Sequence, residues 1–316
     1  MPNKPELLTV AKLPPFLMQP LRETFTVHER LHVEDPAAFA RVAPNIRAIG
    51  GSGESKVPAE LIAQLPKLEV ISIMGVGYDG VDVAAAKARG VMVGHTPDVL
   101  NDDVADLALA LMLNIARRIP QADKFLRAGL WPNGPMPLAR KMSGSRLGIV
   151  GMGRIGQAIA QRALAFGMSI AYTARSAKAV LPYAFHATPK ALAAASDFLV
   201  VITPGGAATR KLIDADVLRA LGPEGYLINV ARGSVVDEAA LIEALQKGVI
   251  AGAALDVFEK EPEVPEALRA LDNVVLVPHI GSATVQTRHA MAARAFANLQ
   301  AHFAGTPLPS AVPECK

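Results

Sequence analysis

Apolar and polar positions follow two alternating periods over the first hundred residues of this 316-residue chain. The short apolar runs LLTV, RAIGG, VISIMG and VMVGH have the length and composition of strands. Helical spacing occupies the segments near 15–24, 58–65 and 83–89 between them. Strand alternating with helix predicts parallel strands joined by crossover helices. From Asn101 to Arg118 the pattern lengthens. Val104, Leu107, Ala108, Leu111, Met112 and Ile115 recur three and four apart, on one face of a long helix. Thr96-Pro97-Asp98 makes a turn ahead of it, and Pro120 is expected to close it. A loop rich in Pro and Gly, GLWPNGPMPLARKMSG, spans 129–144. Alternation then resumes with RLGIV, SIAYT, DFLVVIT, GYLINV, VIAGAALDVF and NVVLVP as strands. A last helix, about 285–303, ends at Gly305 and Pro307.

Between RLGIV and the helical GQAIAQRALAFG stand Gly151, Gly153 and Gly156, spaced G-x-G-x-x-G. In a strand–turn–helix unit the first glycine permits the tight turn. The second lets backbone approach a pyrophosphate, and the third lets the helix pack close to the strand. The helix N-terminus then offers unpaired N–H groups and partial positive charge to the phosphates. This turn lies near the middle of the chain, which an inserted domain explains. Residues 1–99 would build a substrate domain completed by 285–316, with a dinucleotide-binding domain over 100–284 between them.

The strand after the turn reads IAYTARS at 170–176. An Asp or Glu about 20 residues beyond such a turn ordinarily holds a ribose hydroxyl. Here Thr173, Ala174, Arg175 and Ser176 stand in its place. An acid would repel a phosphate on that hydroxyl, whereas Arg175 and Ser176 offer a cation and donors. Arg154, inside the glycine turn, is a second cation within reach. No Asp or Glu occurs between Lys124 and Lys190, while Arg140, Lys141, Arg146, Arg154, Arg162, Arg175 and Lys178 do. The expected cofactor is therefore NADP, with NADPH preferred over NADH. The plain alternative is that Arg175 is a solvated surface residue.

Composition narrows the classes. Half the residues are hydrophobic and the net charge is only +3, with no block of like charge, so no nucleic-acid partner is expected. No apolar run reaches the ~20 residues that span a bilayer. The N-terminal MPNKPELLTVAKLPP has no core for a secretory signal, so a cytoplasmic protein with no membrane partner is expected. The single cysteine, Cys315, is expected to be an exposed, incidental thiol. No metal is called for.

Ligands of open α/β sheets bind beyond the carboxyl ends of the strands. Three ionisable residues follow apolar strands there: Arg232 in INVARGSVVD, Glu261 in FEKEP and His279 in PHIGSAT. Together they suit hydride reduction of a 2-keto acid. Histidine can protonate the carbonyl oxygen, a carboxylate beside it orients the imidazole and favours its charged form, and arginine grips a planar carboxylate with two parallel hydrogen bonds. Taken singly, His279 could be a structural hydrogen-bonder, Glu261 a solvated acid and Arg232 a helix cap.

With these residues in place, the sequence resembles the D-isomer-specific 2-hydroxyacid dehydrogenases over nearly its whole length. GVGYDGVD at 75–82, TPDVLNDDVADLALALML, GIVGMGRIG, LINVARGSVVDEAALIEAL, AGAALDVFEKEP and LVPHIGSAT carry the likeness in order. It is nearest to the branch of NADPH-dependent glyoxylate and hydroxypyruvate reductases, with the plant hydroxyphenylpyruvate reductases. The resemblance implies two doubly wound parallel-sheet α/β domains, a Rossmann-type nucleotide domain inserted in a flavodoxin-like substrate domain, usually in a homodimer. It implies reduction of a small 2-keto acid such as glyoxylate or hydroxypyruvate to the D-2-hydroxy acid. His279 would be the proton donor, Glu261 its partner and Arg232 the substrate-binding arginine. The backbone of Val76 and Gly77 would cradle the substrate carboxylate, with Ser52 and Gly53 nearby. Cofactor contacts would come from Gly151, Gly153, Arg154, Ile155, Gly156, Ala174, Arg175, Ser176, Val230 and Asp256, the last holding the nicotinamide amide. The absence of an acid at Thr173 departs from the NAD-linked members.

Two other classes fit less well. A dimeric nucleotide-sensing, corepressor-like binding protein can share this fold, and turnover of a keto acid separates the two. A formate-dehydrogenase-like enzyme would resemble a Gln–His pair rather than Glu261 with His279. Trp131, the one tryptophan, either packs under its loop or reaches a partner subunit and shapes the substrate pocket.

Overall fold

A computed structural model describes residues 4–315. The chain divides into two compact units, Met1–Leu100 with Thr284–Lys316, and Asn101–Ala283. The first unit holds a sheet of β1 (Glu6–Thr9), β2 (Thr26–Glu29), β3 (Ile46–Ser52), β4 (Val70–Met74) and β5 (Met92–Gly94). All its pairings are parallel and the order is β2-β1-β3-β4-β5, the flavodoxin-like winding. β4 is buried along its whole length, as a central strand covered on both faces must be. The helix Val285–Phe303 returns to this unit, where the Ser72 hydroxyl on β4 donates to the Ala295 carbonyl at 2.8 Å.

The second unit holds β6 (Arg146–Val150), β7 (Ser169–Thr173), β8 (Ala184–Phe185), β9 (Phe198–Val201), β10 (Tyr226–Asn229), β11 (Gly252–Leu255) and β12 (Val274–Leu276). Every pairing is again parallel, in the order β12-β11-β10-β9-β6-β7-β8. This is the Rossmann winding with one further strand, and strand order reverses between β6 and β9. Leu199, Val201, Leu227, Ala253 and Leu255 meet Ile213, Leu218 and Leu241 in its core. The fold class is thus two doubly wound parallel-sheet units. Among the described residues no helix is long and apolar enough to cross a membrane.

Several local expectations change. β2 and β8 carried no apolar run: TVHE is a half-exposed edge strand, and β8 is a two-residue edge. The long helix, Asn101–Arg117, ends before Pro120. Arg118 turns to φ +53°, and Pro120 stands in the first turn of a new helix, Ile119–Arg127. A proline there forfeits no hydrogen bond, so it opens a helix where it was expected only to close one. Trp131 does not pack under its loop. It lies in a short 3₁₀ turn, Trp131–Asn133, and is 67% exposed. Cys315 is half-buried against the core of the first unit rather than fully exposed.

Candidate active site

The glycine turn joins β6 to the helix Arg154–Leu164. Gly151 has φ +107°, and a Cβ there would lie 2.8 Å from the Ile202 carbonyl oxygen. A Cβ on Gly156 would collide with the Gly151 carbonyl, so that position draws the helix onto the turn. Over Gly153 a Cβ would meet nothing within 4 Å. The open space lies at the helix N-terminus, where Gly153 caps an eleven-residue helix with no side-chain acceptor on its first N–H groups. An anion fits that place on both shape and charge. The turn also stands at the sheet's switch point, where β6 neighbours β9.

Thr173, the last residue of β7, is buried; past it Ala174 is half-buried, and Arg175 and Ser176 are exposed. The Arg175 side chain makes no hydrogen bond or ion pair with another described residue. Arg154 is likewise exposed. The wider run of cations is less positive than its sequence implied. Arg140 pairs with Asp197 and Glu224, Arg146 with Asp197, and Arg162 with Asp102 and Asp106. The fold brings acids from outside the run onto three of its arginines, so a count along the chain overstated the local field.

Arg232, Glu261 and His279 follow β10, β11 and β12. Glu261 Oε2 lies 2.7 Å from His279 Nδ1, and Glu261 Oε1 accepts the Phe258 N–H at 2.9 Å. Both oxygens are therefore engaged, which fixes the carboxylate. Burial pushes the Glu261 carboxyl up. The His279 and Phe258 hydrogen bonds and the charges of His279 and Arg232 outweigh it, leaving Glu261 below the usual carboxylate range. Glu261 is thus exposed in part yet engaged at both oxygens, rather than merely solvated.

Gly233 explains how Arg232 nears this pair. A Cβ on Gly233 would collide with the Phe258 carbonyl, so the loop after β10 lies flush on the loop after β11. Buried Asn229 shapes the same loop: its amide donates to the Arg232 carbonyl at 3.0 Å and its oxygen accepts the Ala231 N–H at 3.1 Å. Neither residue stood out in the sequence, because a glycine outside a motif and an asparagine at a strand end are common. Val230, beside them, is buried at the end of β10.

Asp256 does more than the resemblance implied. Its side chain is 2% exposed at the end of β11. Its Oδ1 accepts the Ile280 N–H at 2.6 Å, its Oδ2 the Gly281 N–H at 2.9 Å, and its backbone carbonyl the His279 N–H at 2.8 Å. The three bonds clasp a turn in which His279 has φ +52°, a conformation L side chains adopt at some cost. Burial raises the Asp256 carboxyl against the pull of those amides. A carboxylate has about four acceptor sites, so a further amide donor can still be served.

In the first unit the loop after β4 carries Val76 and Gly77. Their N–H groups have no acceptor among the described residues, although both residues are half-buried. Two such N–H groups suit an anion. Ser52 ends the neighbouring β3, and Gly53 sits against Gly75, where a Cβ would come 2.7 Å from the Gly53 Cα. The Ser52 hydroxyl is engaged within its own loop, 3.3 Å from Ser55 Oγ.

Comparison with known proteins agrees with this arrangement. Residues 109–281 match the sequence model of the D-isomer specific 2-hydroxyacid dehydrogenase NAD binding domain. Hydroxyphenylpyruvate reductase of Plectranthus scutellarioides is 50% identical over 85% of this chain and 86% of its own length. 2-Ketogluconate reductase of Gluconobacter oxydans is 45% identical over 96% of this chain and 97% of its own. The crystal structure of an NADPH-dependent glyoxylate/hydroxypyruvate reductase from Sinorhizobium meliloti, in complex with NADP and malonate, superimposes with a TM-score of 0.94. It is 47% identical and covers 99% of this chain and 98% of that one. Motif order, both sheet windings and this breadth of identity lead to one conclusion: the chain belongs to the D-isomer-specific 2-hydroxyacid dehydrogenases, a family of oxidoreductases.

Proposed function

We propose that this chain reduces small 2-keto acids, glyoxylate, hydroxypyruvate or a close relative, to D-2-hydroxy acids with NADPH. The observation that carries the reading is the 2.7 Å contact between Glu261 and His279 in the unit that holds the glycine turn. A charge-paired imidazole beside a nucleotide site is the equipment of a proton-coupled reduction. The names of the relatives, all reductases of keto acids, support it.

In this reading the second unit binds the dinucleotide. Gly151, Gly153 and Gly156, with Arg154 and Ile155 at the helix start, take the pyrophosphate. Ala174, Arg175 and Ser176 take the phosphorylated ribose, and Val230 and Asp256 line the nicotinamide site. When bound, the reduced nicotinamide supplies the hydride. In the second unit Arg232 offers the fork for a substrate carboxylate. In the first unit the N–H groups of Val76 and Gly77 suit that same group, with Ser52 and Gly53 beside them. His279, held through Nδ1 by Glu261, delivers a proton from Nε2 to the carbonyl oxygen as it becomes an alkoxide. The paired carboxylate stabilises the imidazolium beforehand and stays ionised throughout. The first unit is accordingly the substrate domain.

The enzyme is further proposed to work as a cytoplasmic homodimer. Ile119, Leu126, Leu130, Trp131 and Leu138, all exposed within one stretch of the second unit, support burial against a second copy. The test of the activity is steady-state kinetics on a panel of keto acids with NADPH and with NADH. Turnover of glyoxylate or hydroxypyruvate with NADPH is expected, and failure on every acid of the panel overturns the reading.

A further inference from the structure

The loop that carries Val76 and Gly77 is held from outside itself. The Thr96 N–H donates to the Gly75 carbonyl at 2.8 Å. His95 Nδ1 lies 3.0 Å from the Val76 carbonyl oxygen, so this nitrogen carries the proton and donates. The Tyr78 ring stands edge-on to His95, centroids 5.1 Å apart at 84°. Its hydroxyl donates to Glu314, 3.1 Å from Oε2 and 3.4 Å from Oε1.

The His95 and Tyr78 contacts lead back to residues 310–315. The Ser310 hydroxyl donates to the His95 carbonyl at 2.6 Å, and the His95 N–H donates to the Ser310 carbonyl at 3.0 Å. Ala311 bridges Gly94 in antiparallel fashion, and the Val312 N–H donates to the Val93 carbonyl at 2.9 Å. Buried Asn298 accepts the Ser310 N–H at 3.1 Å. The segment is thus bolted to the end of β5 before it meets Tyr78, and Val312 is fully buried in the core of the unit. Burial, with Glu314 alongside, pushes the Tyr78 phenol up to about 12, so it stays a donor throughout the neutral range.

We propose that residues 310–315 are a positioning element for substrate binding, with Glu314 acting through Tyr78 and Ser310 through His95 to set the backbone of Val76 and Gly77. This rests on the reading that those two N–H groups take the keto-acid carboxylate. Neither Glu314 nor Ser310 touches the substrate in it. Their effect is to hold two N–H groups in the geometry an anion needs before it arrives, which lowers the ordering cost of binding. Substrate affinity is then controlled by residues more than 200 positions away in the chain.

The test uses Tyr78→Phe, which keeps the ring against His95, and Glu314→Ala, alone and combined. Three quantities are read: KM for glyoxylate against kcat, KM for NADPH, and amide hydrogen exchange at residues 75–78. We expect the glyoxylate KM to rise roughly three- to tenfold in each variant, a fraction of what one hydrogen bond to a charged group carries, because the lost bond reaches the substrate only through the loop. NADPH KM and kcat stay within about twofold, exchange at 75–78 quickens, and the double variant is no worse than either single one. Glu314→Asp should recover part of the loss. An unchanged glyoxylate KM with unchanged exchange overturns the proposal, as does a parallel rise in both KM values. A parent enzyme that turns over no keto acid brings down the activity instead, and exchange at 75–78 then decides the positioning role by itself.

Discussion

Glu261 Oε2 and His279 Nδ1 stand 2.7 Å apart at the ends of two loops, and the second carboxylate oxygen is tied to the Phe258 N–H. The contact helps hold Glu261 below the usual carboxylate range, and a carboxylate beside an imidazole favours its charged form. Glu261→Gln keeps an acceptor for Phe258 and removes the charge. The falling limb of the kcat/KM profile for reduction should therefore move to lower pH, because the proton is released more easily. Stability follows the same sign. A depressed carboxylate stabilises the fold above its unfolded value, about 4.3 for glutamate, and loses that contribution as pH falls through its folded value. The parent's advantage over Glu261→Gln in thermal melts should thus be full at neutral pH and shrink in acid. A profile that does not move would disconnect Glu261 from the proton.

His279→Ala removes the proposed acid and leaves the glycine turn intact. kcat should fall by about 10²–10⁴-fold, the range general acid catalysis contributes. Binding of NADPH, followed by its fluorescence, should survive. Near-normal turnover would exclude His279 as proton donor.

Arg232→Lys preserves charge and loses the planar fork. kcat/KM for glyoxylate should drop by one to two orders of magnitude, or about 1.5–3 kcal/mol. If the lysine enzyme matches the parent across the keto-acid panel, the carboxylate is gripped elsewhere.

Arg175 is exposed at the end of β7. Its loss should raise KM for NADPH roughly 10- to 100-fold and leave NADH nearly untouched, since a charge-assisted hydrogen bond is worth about 1.5–3 kcal/mol. The ratio of kcat/KM for the two cofactors in Arg175→Ala is the measurement. An unchanged ratio would mean that IAYTARS does not read the phosphate.

Asp256→Asn should lower kcat more than it raises either KM. The amide keeps one oxygen for the turn and sets an N–H against the other donor, Ile280 or Gly281. An unsatisfied buried donor costs about 1–3 kcal/mol. A turn relaxed in this way lets His279 leave its φ +52° conformation. An effect confined to cofactor KM would assign Asp256 to the nicotinamide alone.

The local elements were largely decided by sequence. Periodicity located most strands and the long helices, because a buried parallel strand is a continuous apolar run and an amphipathic helix repeats every three to four residues. The glycine spacing marked the nucleotide turn, since only glycine tolerates φ +107° at Gly151 and a helix packed directly on Gly156. Arg232, Glu261 and His279 were legible because each follows an apolar strand. Where pattern was thin it failed: β2 and β8 are edges with little to bury, and Pro120 has the same signature whether it ends a helix or begins one. Tertiary structure decided what depends on neighbours distant in sequence. It paired Glu261 with His279 across 18 residues, laid Gly233 on Phe258, and turned Asp256 into the clasp of the His279 loop. It cancelled three arginines with acids from outside their run, and it brought Glu314 to Tyr78 across 236 positions. Periodicity reports which face of an element is buried, while hydrogen bonds and charge pairs depend on which ends of which elements the winding of the sheet sets side by side.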